Sequence, residues 1–327
     1  MSNTDNFEKF IHYIREGNLQ KIIKLVEINQ VDASARSNHA IIIAASNGYL
    51  EVVKYLLTLP KVDPSALGNL AIIDAASNGH LAVVEYLSTL PGVNASAHNN
   101  KAIIMAALNR HLEVVQYLSK LPGVDASARN NEAVINAASN GYLEIVKYLL
   151  TLPGVNVSDQ NNKAIIWAAY RGQLVMIEYL SKLPNVDASG DNNTAIILAA
   201  SNGHLEVVEY LLTLPNVDAS AQNNKAIVWA YYKRHSAMVA MLLYFEPNIK
   251  LVFLNAIDNT ILHYLYFHRY ILYNFRPVAY TIAVSLTELP TPILIEIIEQ
   301  SLDFAIYIPY HIKWNIVVAI KHSKKEF

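Results

Sequence analysis

The sequence predicts an all-α protein in which helix-turn-helix repeats stack into a solenoid. Three observations predict it: a 31-residue period, two short helical segments in each period, and turn-forming residues between them. The dipeptide Leu-Pro recurs at this spacing at Leu59-Pro60, Leu90-Pro91, Leu121-Pro122, Leu152-Pro153, Leu183-Pro184 and Leu214-Pro215. An alanine that opens an apolar run keeps the same register from Ala40 to Ala226, and an asparagine lies two residues before it in every unit.

Residues 191–221 illustrate how one unit is built. The stretch 195–201, AIILAAS, predicts a short first helix, and Gly203 is predicted to adopt a left-handed backbone in the reversal after it. The second helix is predicted to bury an apolar stripe made of Leu205, Val208, Leu211 and Leu212. Pro215 ends that helix because proline cannot continue it. The asparagines at 192 and 193 are predicted to take the left-handed conformation, which asparagine tolerates.

The recurring pattern AIIxAASNGHLEVVxYLLTxPxVDAS resembles the ankyrin repeat. The resemblance covers residues 32–245 as seven repeats, with residues 1–31 as an N-terminal capping unit. It implies an ankyrin-repeat solenoid. Two departures stand out: the period is 31 residues rather than the family's about 33, and the Thr-Pro-Leu-His tetrad has become Thr194-Ala195-Ile196-Ile197 or its equivalent. We expect the asparagine series to replace the turn hydrogen bonds that the tetrad would have made.

The register slips after residue 245. Residues 246–286 are interpreted as a degenerate eighth repeat, because the stretch from Asp258 to His263 is similar to the family's Asp-x-Thr-Pro-Leu-His. Residues 287–327 are predicted to be a helical C-terminal cap or an F-box-like segment. The residues that resemble the opening of an F-box are Leu289, Pro290, Leu294 and Ile298. Two interpretations stay open: an ordinary capping helix, or a helix that docks the adaptor of a cullin ubiquitin ligase.

Positions that depart from the repeat pattern predict where a partner would bind, because packing between repeats does not dictate them. The ankyrin resemblance implies binding on a concave face made of finger tips and first helices. The predicted partner-binding residues are Met105, Arg129, Trp167, Tyr170, Arg171, Trp229 and Tyr232. Tryptophan, tyrosine and arginine dominate the binding energy of protein interfaces. The alternative is that Trp167 and Trp229 only fill gaps between adjacent repeats.

Composition excludes several classes of function. A net charge of -2 and a pI near 6.6 lack the excess of basic residues that a nucleic-acid binder needs. The absence of cysteine excludes disulfides, thiolate zinc sites and a cysteine nucleophile. His80, His111, His204 and His235 recur at the starts of second helices, where a structural role is expected. The sequence contains no phosphate-binding loop or nucleophile motif, so we predict no enzyme activity, no cofactor and no metal site.

The predicted function is therefore that of a scaffold that binds another protein. The alternative is an ankyrin/F-box-like adaptor that brings a substrate to a cullin ubiquitin ligase. The N-terminus lacks the apolar segment of a signal peptide, and no run of apolar residues is long enough to span a membrane. We expect a cytoplasmic protein without membrane contact, located in the host cell if the chain is a viral or bacterial effector.

Overall fold

The computed structural model describes residues 3–29 and 31–245, which form helices and no strand within those ranges. The first helices of the repeats are α1 (Asn3–Arg15), α3 (Ala35–Ser46), α5 (Ala66–Ser77), α7 (Ala97–Leu108), α9 (Ala128–Ser139), α11 (Asp159–Tyr170), α13 (Gly190–Ser201) and α15 (Ala221–Tyr232). The second helices are α2 (Leu19–Asn29), α4 (Leu50–Leu56), α6 (Leu81–Ser88), α8 (Leu112–Leu118), α10 (Leu143–Leu149), α12 (Leu174–Leu180), α14 (Leu205–Leu212) and α16 (Ser236–Phe245). The prediction of an all-α chain of stacked helix-turn-helix units is confirmed.

The chain divides into two compact units. The first unit consists of Met1–Ala195 and Thr213–Val217, and the described part of the second consists of Ile196–Leu212 and residues 218–245. In the first unit, α3, α5, α7, α9 and α11 pack side by side in that order, and α4, α6, α8 and α10 do the same. In the second unit, α16 packs against α14 and α15. Each helix pair in the row therefore covers part of the next pair, as expected for a repeat protein.

A left-handed turn of three residues begins each first helix from α3 to α15, and we call it the finger turn. In the turn 191–193, Asp191, Asn192 and Asn193 have φ values of 52°, 54° and 63°. The left-handed conformation that the sequence predicts for Asn192 and Asn193 is confirmed, and it also includes Asp191. Gly203 has a φ of 75°, so its predicted left-handed backbone is confirmed too. The right-handed helix follows the finger turn directly.

In the finger turns of α3 to α11, the third residue is an asparagine whose side chain joins one repeat to the next. Its Oδ1 atom accepts a hydrogen bond from a backbone N–H that lies 25 residues later, in the hairpin before the next first helix. In the first unit these pairs are Asn38 and Asp63, Asn69 and Asn94, Asn100 and Asp125, Asn131 and Asn156, and Asn162 and Asp187. The donor–acceptor distances lie between 2.7 and 2.9 Å. The asparagines thus make hydrogen bonds at the turn, and these bonds join successive repeats.

The core of each repeat differs in one respect from the predicted stripe. In α14 the buried residues are Val207, Val208 and Leu211, whereas Leu205 is 38% exposed and Leu212 is only partly buried. The equivalent positions are buried in α4, namely Val52, Val53 and Leu56. A second helix such as α4 packs against both α3 and α6, so it buries two adjacent positions instead of one narrow stripe.

Small residues line the contacts between first helices. The paired alanines Ala44-Ala45 and Ala137-Ala138 have no exposed surface, and α3 and α9 pack against their neighbouring first helices. A larger side chain at these positions would push the helices apart, and overpacking of this kind typically costs about 1 to 3 kcal/mol.

Parts of the prediction fall on residues outside those described. These are the eighth repeat at 246–286, the cap or F-box-like segment at 287–327, and with it Leu289, Pro290, Leu294 and Ile298. Within residues 3–29 and 31–245, no helix is long and apolar enough to cross a membrane.

Candidate functional site

Repetition makes it possible to compare one surface position across several repeats. On the first helices of the first unit, the residue after the buried apolar pair is Ile43, Asp74, Met105, Asn136 or Trp167. All five lie on helices that pack side by side, and none is fully buried. The backbone is therefore the same at each position, while the side chain changes from apolar to acidic to aromatic. Variation of this kind on a constant scaffold is what a recognition surface requires.

Trp167 and Tyr170 form the largest exposed aromatic pair of the first unit. They are three residues apart on α11, and their rings meet edge to face with centroids 5.4 Å apart at an interplanar angle of 83°. Trp167 is 38% exposed and Tyr170 is 40% exposed. Edge-to-face contact holds each ring in place before a partner arrives, so less side-chain entropy would be lost on binding.

Arg171 follows this pair and caps the end of α11. Its Nη1 atom donates a hydrogen bond to Oδ1 of Asn140, at the end of the preceding first helix. That bond joins the guanidinium to the preceding repeat, and Arg171 makes no ion pair with any described residue. We call Trp167, Tyr170 and Arg171 the aromatic cluster; the two predicted aromatic residues are in contact, and Arg171 follows Tyr170 in the chain.

The other two predicted residues of the first unit lie apart from the aromatic cluster. Met105 is partly buried on α7, which is separated from α11 by α9. Arg129 is the first residue of its finger turn, where Nη2 donates to the backbone oxygen of His98 at 2.7 Å and Nη1 lies 3.5 Å from Glu132. Its guanidinium thus joins two successive finger turns, a structural contact that the sequence pattern did not indicate.

In the second unit, Trp229 and Tyr232 lie at the end of α15. Trp229 is 40% exposed, and the ammonium group of Lys225 lies 5.4 Å from the centre of its ring. Tyr232 is largely exposed and its ring meets that of Tyr231. Among the described residues no ring contact joins Trp229 to Tyr232, although their spacing is the same as that of Trp167 and Tyr170.

One exposed apolar residue of the finger turns was missed at the sequence level. Leu67 is the first residue of the finger turn at the start of α5, has a φ of 52° and is 56% exposed. Every other finger turn carries a polar residue at this place, such as Arg36 or Gln160. That exception is the signal that could have identified it, because an apolar residue at a strained, solvent-facing position gives nothing to the core.

The recurring histidines contact the neighbouring repeat. His80 precedes α6, and its Nε2 atom lies 3.0 Å from the backbone oxygen of Ser46. His235 makes the equivalent contact with Ser201 at 3.1 Å. Within the described ranges no group of three or more histidines or carboxylates could hold a metal ion. The geometry of these histidines is that of links between repeats.

The comparison with protein families agrees with the repeat geometry. The family model of ankyrin repeats, which spans three copies, matches residues 10–99, 41–130, 103–189 and 165–253. These overlapping matches cover well over half of the chain's 327 residues. A search of the curated proteins found no match.

Proposed function

Because the chain belongs to the ankyrin-repeat family, we propose that it is a scaffold that binds another protein and has no catalytic activity of its own. Ankyrin repeats are protein–protein interaction modules, so the family supplies the class of function. The partner and the contact residues are our proposal. We assign the contact to the face made of finger turns and first helices, with the aromatic cluster at its centre. Arg129 and Met105 would contribute at the edge of that contact, and Trp229 and Tyr232 would form a further contact on the second unit.

The observation that carries the proposal is the exposed Trp167, edge-on to Tyr170. Neighbouring repeats fold with Asp74 or Asn136 at the Trp167 position, so the repeat itself does not need an aromatic residue there. Leaving an indole more than a third exposed costs apolar hydration that burial by a partner would recover. Central tryptophan, tyrosine and arginine residues typically contribute at least about 2 kcal/mol each to an interface.

The test exchanges the aromatic cluster for the residues that sister repeats carry. The triple variant W167N/Y170S/R171N imports the residues found at 136, 139 and 140 of the preceding repeat, which fold on the same backbone. The matched control is Val175→Glu on α12 of the same repeat. Val175 is 64% exposed, and most other second helices have glutamate at its position.

Partners captured from a lysate are identified by mass spectrometry, and the affinity of each purified partner is then measured. We expect the triple variant to weaken binding by about 30-fold or more, the equivalent of about 2 kcal/mol, and the control to leave it unchanged. Equal binding by wild type and triple variant would remove the aromatic cluster from the proposal. Melting curves by circular dichroism should show that all three proteins are folded.

The alternative function is that of an ankyrin/F-box-like adaptor for a cullin ubiquitin ligase. It is supported by the sequence from Leu289 to Ile298 alone, which lies outside the described residues. The test is direct binding of the full chain to the purified F-box-binding adaptor. Binding that Leu289→Ala with Leu294→Ala abolishes would support the alternative, and no binding would reject it. Either function is proposed for the cytoplasm, since a chain without cysteine suits a reducing compartment.

A further inference from the structure

A second surface with its own chemistry lies in the first repeats, away from the aromatic cluster. The first helices α3 and α5, including the finger turn at the start of α5, border a cleft of about 550 Å³. Its walls include the apolar residues Ile43, Leu67 and Leu70, and its polar groups include Arg15, His39 and Asp74. We call it the Leu67 cleft.

The apolar wall is peculiar to this repeat. At the Leu67 position the following finger turns carry His98, Arg129 and Gln160, and at the Leu70 position the following repeats carry Lys101, Glu132 and Lys163. Both leucines therefore stand where the repeat otherwise places polar side chains. The backbone at Leu67 is also left-handed, which is unfavourable for a branched apolar residue. Leu67 is 56% exposed and Leu70 is only partly buried, and contact with an apolar partner would cover the rest of both side chains.

The polar wall contains a carboxylate, that of Asp74, whose charge is only partly balanced by Lys101. Asp74 is partly buried on α5, and its side chain forms no hydrogen bond or ion pair with any described residue. Burial raises the pKa of Asp74, and the positive charge of Lys101 only partly offsets that effect. A desolvated carboxylate in the wall of an open cleft is complementary to a cationic side chain that enters from outside.

We propose that the Leu67 cleft docks a short segment of a partner protein in which a lysine or arginine lies between aliphatic side chains. The basic side chain pairs with Asp74, and the aliphatic ones cover Leu67, Leu70 and Ile43. Arg15, whose guanidinium makes no ion pair with a described residue, faces any acidic group that follows in the segment. The inference rests on the proposed function as a protein-binding scaffold and adds a separate contact surface to it.

The probe is a library of fluorescein-labelled heptapeptides. Their central residue is Lys, Arg, Gln or Glu, and their flanking residues are drawn from Leu, Ile, Val, Ala and Ser. Binding to the full chain is measured by fluorescence anisotropy. We expect Lys- and Arg-centred peptides with aliphatic flanks to bind on the order of tenfold more tightly than Glu-centred peptides with the same flanks. Equal binding by all four central residues would overturn the proposal.

Two variants test the two walls with residues that sister repeats already carry. Asp74→Asn imports the side chain that Asn136 provides two repeats later, and it should abolish the preference for a basic centre. An unchanged preference would overturn the role of Asp74. The double variant L67Q/L70K imports Gln160 and Lys163 from the equivalent positions three repeats later and should abolish the preference for aliphatic flanks. If either variant unfolds, the charge reversal Asp74→Arg supplies the decisive result, because it should select Glu-centred peptides.

The aromatic cluster separates this inference from the proposed function. The triple variant W167N/Y170S/R171N should keep the full peptide preference, because its changes lie at α11 and the residue after it. If the triple variant loses its lysate partners, the proposed function stands. If the wild type shows no peptide preference in the same series, the Leu67 cleft is rejected as a docking site. Sedimentation of the full chain adds one more outcome. A dimer that L67Q/L70K converts to monomer would overturn a partner segment in favour of a second copy of the chain.

Discussion

The imidazole ring of His80 lies directly over Gly48 of the preceding repeat. A Cβ atom on Gly48 would come within 2.5 Å of Nδ1 of His80, and the φ of Gly48 is +77°. The glycine is thus required both for its left-handed backbone and for the space that the ring occupies. The same pairing recurs between Gly203 and His235 in the second unit.

Gly48→Ala should therefore destabilise the protein through backbone strain and through the clash with the ring. We expect a loss of about 2 to 3 kcal/mol in the free energy of unfolding, measured by urea denaturation. In a His80→Ala background the clash is gone, so the same Gly48→Ala change should cost less, about 1 kcal/mol. Equal costs in the two backgrounds would contradict the ring contact.

Asn131 tests the hydrogen bonds that join successive repeats. It is 4% exposed, and its Oδ1 atom accepts from the backbone N–H of Asn156 at 2.8 Å. Its neighbour Asn130 is also left-handed but exposed, which makes Asn130→Ala the matched control for backbone strain. Asn131→Ala should cost about 1 to 3 kcal/mol more than Asn130→Ala, because it removes the bond from the N–H of Asn156 and the bond that Asn131 Nδ2 donates to Oδ2 of Asp159. Similar unfolding midpoints for the two variants would refute this role.

Tyr148 and Tyr179 occupy equivalent positions on α10 and α12 but face different neighbours. The hydroxyl of Tyr148 lies 2.7 Å from Oγ of Ser119, whereas the residue equivalent to Ser119 in the next repeat is Leu150. Tyr148→Phe should lower the free energy of unfolding by about 1 kcal/mol, the typical net value of one hydrogen bond. Tyr179→Phe should lower the free energy of unfolding by less. Calorimetric melting of the two variants tests this, and a larger loss in Tyr179→Phe than in Tyr148→Phe would contradict the role of the Ser119 contact.

The raised pKa of Asp74 predicts a pH-dependent stability. Burial makes ionisation less favourable in the folded state, so the penalty is absent below the unfolded-state pKa and appears as pH rises through the folded-state pKa. Asp74→Asn should therefore melt at a higher temperature than wild type at pH 7. The difference should vanish at about pH 3, where the Asp74 carboxyl is mostly protonated in the folded and unfolded states alike.

The pKa of Asp32 is shifted in the opposite direction to that of Asp74, so its effect on stability has the opposite pH dependence. Hydrogen bonds from the hydroxyl and backbone N–H of Ser34, at 2.6 and 2.9 Å, lower the pKa of Asp32. Its stabilising contribution is present above the unfolded-state pKa and is lost as pH falls through the folded-state pKa. Asp32→Ala should thus be less stable than wild type at pH 7. The difference in the free energy of unfolding between the two proteins should become smaller as the pH is lowered. A difference that widens on acidification would show that the sign is wrong.

Most of the fold could be predicted from the sequence, because each structural position occurs in several repeats and shows the same residue types each time. The left-handed backbone at Gly203 follows from conformational preference alone, and the period fixes where each helix pair begins. The buried face of α14 was predicted less well. The spacing of apolar residues along one helix face assigned Leu205 to the core. Val207 is buried instead, because a second helix packs against more than one neighbour.

The candidate site was only partly accessible to sequence reasoning. The spacing of Trp167 and Tyr170 predicted a shared face, and their rings do meet. The same spacing in Trp229 and Tyr232 is accompanied by different ring contacts, because side-chain rotation is not set by spacing. Leu67 was not predicted, because a pattern of varying charge among the finger residues gives no signal for an apolar side chain.

The 25-residue reach of each asparagine bond also bears on how such a chain can grow by gene duplication. A copied block of 31 residues brings one acceptor and one donor in the correct order, so its two new junctions can form the same bond as the old ones. A block whose length is not a whole multiple of 31 residues would set the asparagine opposite the wrong part of the hairpin. Heritable lengthening or shortening is therefore tolerated in whole repeats, which leaves the exposed side chains of each copy free to diverge toward new partners.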